Sequence, residues 1–279
     1  MSFKASAIKF LTRIVRPGLA ASCLAAVFRC LLRLCPIRKK VTRRNLEIIL
    51  PGHTAKERNK ILWRTYDNLV WVGIEFTVLQ SDPRKVLEWF DVKNPEAMDC
   101  DGGILVPCHV GNWVLALVWG VQSGHKITPI IRESPDLSER KVMAEMYSKS
   151  GVSFISKTAP MTQALGVLKR NEFLVVMPDQ HGGGEGVKAP LFGLETSTPR
   201  GAAVFAYLTK KPLIPVYTHR VAPFKHVMRF GEPIAWERAG SREETILSIT
   251  RAINLEVERI IKEAPDQWLA QHRRFREHY

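Results

Sequence analysis

Residues 103–114 read GILVPCHVGNWV, and this stretch decides the fold. The apolar run Ile104 to Cys108 suits a strand buried inside a sheet. Directly behind it come His109, Gly111 and Asn112, polar or permissive residues placed where such a strand ends and a helix begins. In an open α/β sheet that is where ligands gather.

The same texture repeats outward. Strand-like runs at 103–107, 127–131, 152–155, 173–177 and 213–218 alternate with helical candidates at 112–122, 138–150, 160–170 and 199–208. Such alternation predicts an α/β fold, a mixed and largely parallel sheet flanked by helices. Val227 to Phe230 adds a further strand, expected at an edge. Thr54-Ala-Lys-Glu57 is a capping box opening a helix, and Ser241 to Glu263 reads as a long amphipathic helix. Arg132 follows the second run and Asp179 the fourth, so with His109 three polar groups at three strand ends predict one site.

The chain of 279 residues suits one large domain or one domain with an appendage. Its apolar share of 46% excludes wholesale disorder. The net charge of +14 is concentrated: residues 1–44 hold eleven Lys and Arg and no Asp or Glu. Within that segment lies the apolar block Gly18 to Phe28, continued by Leu31, Leu32 and Leu34. The block is shorter than the roughly 18–20 apolar residues of a clean span. Basic flanks on an apolar helix suit an in-plane or shallow anchor on an anionic membrane surface. Residues 1–40 are therefore expected to form a membrane anchor and 41–279 the α/β domain. Positive charges continue past the block, which opposes a signal peptide and places this side in the cytoplasm. The basic segment lacks interleaved aromatics, so no nucleic acid is expected as a partner.

The five cysteines (23, 30, 35, 100 and 108) are odd in number and form no CxxC pair. Neither a disulfide framework nor a zinc site follows, and no metal or cofactor is expected. Asp179 to Gly193 is a glycine-rich loop with no GK[ST] behind it, so a nucleotide-binding reading is weak. There is no GxSxG, which disfavours a serine-hydrolase triad. Cys108 is a candidate thiol nucleophile, though a residue next to His109 at a strand end should point away from it. A neutral histidine beside a glycine and a helix start could take a proton from an acceptor hydroxyl. The bland alternative is a structural histidine.

HVGNW resembles the first block of the bacterial lauroyl and myristoyl acyltransferases that complete lipid A, a lysophospholipid acyltransferase-like family whose block reads His-Phe-Gly-Asn-Trp-Glu. PDQHGGG, PLFG and TSTPRGAA (178–203) resemble later blocks, as does the ending PDQWLAQHRRF (265–275). Arg132 falls where the family has the arginine of R-x-x-x-N, with Asp136 in place of the asparagine. RRNLEIILP and VGIEF resemble the N-terminal portion. The resemblance spans roughly residues 40 to 275. It implies a glycerolipid acyltransferase-like fold and transfer of a fatty acyl chain from acyl carrier protein, or acyl-CoA, to a hydroxyl of an anionic glycolipid at the bacterial inner membrane. By the same resemblance His109 is the general base, with Asp179 ordering the catalytic site. Gly111, Asn112, Trp113, Arg132, Gln180, Arg273 and Arg274 are expected to contact substrate, the arginines through phosphates.

The departure is Val114, where the family carries the acid that orients the histidine. A valine accepts no hydrogen bond. A carboxylate from elsewhere, Asp179, Glu133 or Glu75, could reach His109. A backbone carbonyl or water could hold the tautomer in a slow enzyme. Or the protein has lost catalysis and keeps lipid binding.

Overall fold

The computed structural model describes residues 17–279. Lys4, Lys9, Arg13 and Arg16 of the basic segment lie outside the described residues.

Three helices come first: α1 (Leu19–Leu34), α2 (Lys39–Ile49) and α3 (Ala55–Leu79). The capping box forms as expected, with the Thr54 side chain accepting from Glu57 N and the Glu57 carboxylate accepting from Thr54 N. α1 lies against α3 through small residues, Ala21 and Ala25, both fully buried. Arg29 pairs with Asp67 at 3.4 Å and sits over the Trp71 ring. The opposite side of α1 is apolar and open, with Leu19 81%, Leu31 53% and Leu34 74% exposed.

The α/β body then follows: α4 (Val86–Trp89), β1 (Phe90–Lys93), β2 (Gly103–Pro107), α5 (Trp113–Gln122), β3 (Ile127–Ile131), α6 (Leu137–Lys149), β4 (Ile155–Ser156), α7 (Met161–Lys169) and β5 (Phe173–Val175). A hairpin, β6 (Val187–Leu191) and β7 (Leu194–Thr198), precedes α8 (Gly201–Thr209), β8 (Leu213–Ala222), β9 (Lys225–Phe230) and α9 (Arg242–Glu263). The main sheet runs β1-β9-β8-β2-β5-β3-β4. Only the β8–β9 pairing is antiparallel; the other neighbours run parallel.

β2 sits at the centre, between β8 and β5, and both of its faces are covered. Ile104 and Val106 face a core built with α7, α8 and α9, while Leu105 faces one built with α5 and the second half of α3. That two-sided burial is why the segment reads as unbroken apolar sequence.

Two expectations are corrected. Val227 to Phe230 is not an edge strand: β9 is paired on one side with β8 and on the other with β1, whose short FDVK sequence carries too little pattern to announce itself. The glycine-rich stretch is not one long loop either, since its second half is strand β6. Apart from the hairpin turn at Phe192 and Gly193, what remains is 179–186, which carries a single 3₁₀ turn at Gly183–Glu185. There Gly186 is needed for contact, because a Cβ would meet Ser197 Oγ at 2.1 Å and the Gly182 Cα at 2.9 Å.

Candidate active site

Adjacency of β2 and β5 brings the segments that follow these strands together. His109 leaves β2, Asp179 leaves β5, and the two meet. The His109 Nδ1–H donates to Asp179 Oδ1 at 2.8 Å, and the His109 backbone N–H donates to Oδ2 at 2.9 Å. Trp268 Nε1–H donates to Oδ2 as well, at 3.0 Å. Asp179 is 1% exposed. Burial alone would raise its pKa, but the charge and hydrogen bonds of His109, with the Trp268 donor, outweigh it and hold the carboxyl below its ordinary value.

An ionised Asp179 at Nδ1 fixes the tautomer: the proton sits on Nδ1 and the lone pair on Nε2. The Gln180 amide nitrogen lies 3.3 Å from Nε2, where it can donate to that lone pair. The Trp113 ring packs edge-on against the imidazole, centroids 5.0 Å apart. The C-terminal tail pins this corner: Leu269 N donates to His109 O (2.8 Å), and Val110 pairs with Trp268 as an isolated bridge.

His109 opens onto a cleft of about 600 Å³. One wall is apolar, with Val114, Leu117, Ile130, Tyr147 and Met177. The rim carries Arg132, Lys157 and Arg200. Arg132 is exposed at the end of β3 and forms no ion pair among the described residues. Asp136, which stands where the resemblance calls for asparagine, caps α6 by accepting from Ser138 N and Glu139 N.

Other residues expected to touch substrate are placed elsewhere. Asn112 is fully buried: its Oδ1 caps α5 by accepting from Leu115 N, and its Nδ2 donates to Glu75. Gly111, at φ +63°, lets the backbone pack on β8, since a Cβ would lie 2.8 Å from Thr218 O. Arg274 is fully buried and gives its protons to Thr196 Oγ1, Ser197 O and Thr198 Oγ1, tying the tail to β7. Arg273 is exposed but does not line the cleft. Cys108 is fully buried among apolar neighbours, which pushes its thiol well above the ordinary range, so it offers no thiolate.

Of the three carboxylates that could replace the acid at 114, Asp179 is the one at hand. Glu133 lies 3.8 Å from Arg140. Glu75 is fully buried and engaged by Arg220 through Nε (2.9 Å) and Nη2 (2.8 Å), by Asn112 Nδ2, and by Phe224 N. Burial works against its charge, but His226 and Arg220 draw the carboxyl down to about 2. Glu75 therefore supports the floor under α5 and leaves the histidine to Asp179. Sequence reasoning missed two neighbours, Trp268 and His272, although both lie in the tail block.

Residues 5–277 match the sequence model of a family described as bacterial lipid A biosynthesis acyltransferase. The chain belongs to that family. It is similar to the lipid A biosynthesis palmitoleoyltransferase of Escherichia coli (strain K12), at 26% identity over 249 residues, 86% of this chain and 79% of that protein. It is equally similar to the lipid A biosynthesis acyltransferase of Shigella flexneri. The protein is thus an acyltransferase, and its cleft opens at the carboxyl ends of β2, β3 and β5.

Proposed function

We propose that the enzyme moves a fatty acyl chain from acyl carrier protein, or acyl-CoA, to a hydroxyl of an anionic lipid A precursor, with His109 as general base. The observation that carries this reading is the Asp179–His109 pair, whose Nε2, met among the described residues only by the Gln180 amide, faces an apolar-walled cleft. The acceptor O–H gives its proton to Nε2 as its oxygen attacks the thioester carbonyl. The C–S bond then breaks, and the leaving thiolate takes the proton back from the imidazolium, giving an ester and a free thiol. Asp179 stabilises the imidazolium between the two steps. Trp113 backs the imidazole ring, and Gln180 occupies the position the acceptor hydroxyl takes over. Arg132, with Lys157, supplies positive charge at the mouth for phosphates of the glycolipid or the acidic donor protein, while Arg200 beside them is paired with Glu243. Arg273, exposed farther away, adds to that field without a direct contact.

Residues 1–40 serve as the membrane anchor of a 41–279 catalytic domain on the cytoplasmic face of the inner membrane. No single helix among the described residues is long and apolar enough to cross a bilayer, and α1 and α2 meet at a 92° bend. The open apolar side of α1 beside Arg33, Arg38, Lys39 and Lys40 fits shallow insertion among anionic headgroups. Leu31→Glu with Leu34→Glu should release the protein from anionic vesicles in a flotation assay while leaving its circular dichroism unchanged. Undiminished binding would remove α1 as the anchor.

Acyl transfer from loaded carrier protein to extracted membrane glycolipids tests the catalytic reading. Wild type should transfer, and His109→Ala should not. Val114→Glu should bring no gain and instead lower the rate, because Asp179 already holds Nδ1 and the new carboxylate would stand in the apolar wall. Wild type that transfers to no acceptor would favour the rival reading, a lipid-binding member of the family without turnover.

A further inference from the structure

His272 lines the same cleft as His109 and Gln180, and no step so far uses it. Its Nδ1 is buried with no hydrogen-bond partner. Among the described residues no hydrogen bond reaches its side chain at all, while its backbone is held on both sides. Asn45 Nδ2 donates to both Ala270 O and His272 O, at 2.8 and 2.7 Å. The flanking Gln271 donates to Thr65 Oγ1 (3.0 Å). The ring is therefore placed by a rigid frame and left free of partners at the cleft.

An unpaired buried N–H is rarer and costlier than an under-used acceptor lone pair. The proton of the neutral ring accordingly sits on Nε2 and Nδ1 keeps its lone pair. Burial pushes the pKa of His272 down to about 4; the Asp179 charge opposes this, and the charges of His109 and Arg274 reinforce it. The ring stays neutral at physiological pH, so it donates a hydrogen bond without competing with His109 for the substrate's proton.

We propose that His272, through Nε2–H, donates to the carbonyl oxygen of the thioester as that oxygen becomes negative during attack. This rests on the acyl-transfer reading above. A neutral imidazole held before reaction loses little in reorganisation when the charge appears, which is the condition under which such donors are effective. His272 does not move a proton. It stabilises the oxyanion while His109 and Asp179 handle the proton transfer.

The test compares His272→Phe, which keeps an aromatic ring and removes the donor, with His272→Gln, whose amide nitrogen reaches about as far as Nε2. In the transfer assay, His272→Phe should lower kcat about 10²- to 10³-fold with KM for both substrates nearly unchanged. His272→Gln should restore at least about tenfold of that loss. ¹⁵N NMR of wild type should show the His272 ring neutral and protonated on Nε2 at pH 7, a readout that needs no turnover. A kcat within threefold of wild type in His272→Phe overturns the proposal, as does a loss confined to KM. A ring that titrates near the ordinary histidine value, about 6.5, overturns it too. If wild type itself transfers nothing, the acyl-transfer reading fails. If wild type transfers, His109→Ala does not, and His272→Phe equals wild type, only the role of His272 falls.

Discussion

Asp179→Asn should cut turnover by about 10⁴, the size of effect seen when the acid of a Ser-His-Asp triad becomes an amide. The geometry gives the reason. Oδ2 of Asp179 accepts from both His109 N and Trp268 Nε1, so an asparagine keeps its carbonyl oxygen there. Its NH₂ then takes the place of Oδ1, facing Nδ1 at about the present 2.8 Å. Two N–H groups cannot face each other, so the imidazole proton moves to Nε2 and the lone pair that should receive the substrate's proton is lost. Fold and substrate binding should survive, because volume and two of the three hydrogen bonds are retained. Steady-state kinetics should show the loss in kcat, with KM little changed. A loss of less than tenfold would mean that His109 does not depend on Asp179.

The second large effect is on stability. Glu75→Gln should destabilise the fold by about 3–5 kcal/mol, because it leaves the Arg220 guanidinium without a counter-charge in a buried setting. Arg220 is only 8% exposed and Glu75 is fully buried. Urea unfolding should show the midpoint falling with its slope preserved. Adding Arg220→Met to the variant should recover most of the loss, since an uncharged pair replaces an orphaned charge. If the single variant unfolds like wild type, the network under α5 is not holding it. The pH dependence has a definite sign. The folded carboxyl lies near 2 and the ordinary value is 4.5, so the stabilisation is complete above about 4.5 and drains away as pH falls toward 2. Glu75→Gln should be correspondingly less sensitive to acid across that window.

The central layer of this fold was legible because both faces of its strands are covered. β2 and β3 fall on the expected residues, and the helices after them start within a residue or two of the expected positions. β1 was not legible, since four residues with two charges carry no period. The hairpin β6–β7 was hidden by glycines that serve close backbone contact, as at Gly186.

For the candidate site, the sequence named Asp179 as one of three carboxylates that could meet His109 and left the choice open. Which of Asp179, Glu133 and Glu75 meets the histidine depends on strand order, because β5 lies next to β2. No local spacing encodes that order. Asn112, Gly111 and Arg274 show the converse problem. Each sits in a motif that points to ligand binding, yet each is spent on a cap, a close packing contact or a buried strand. A polar residue looks the same in sequence whether its protons go to a substrate or to the backbone.

Val114 lines the apolar wall, and the carboxylate that meets His109 comes instead from the segment after the neighbouring strand β5. The imidazole ¹⁵N spectrum of His109 tests this most directly, in wild type and in Asp179→Asn at neutral pH. Wild type should carry its proton on Nδ1, and the variant should carry it on Nε2. The same tautomer in both proteins would contradict the claim that Asp179 has taken over the role of the missing acid.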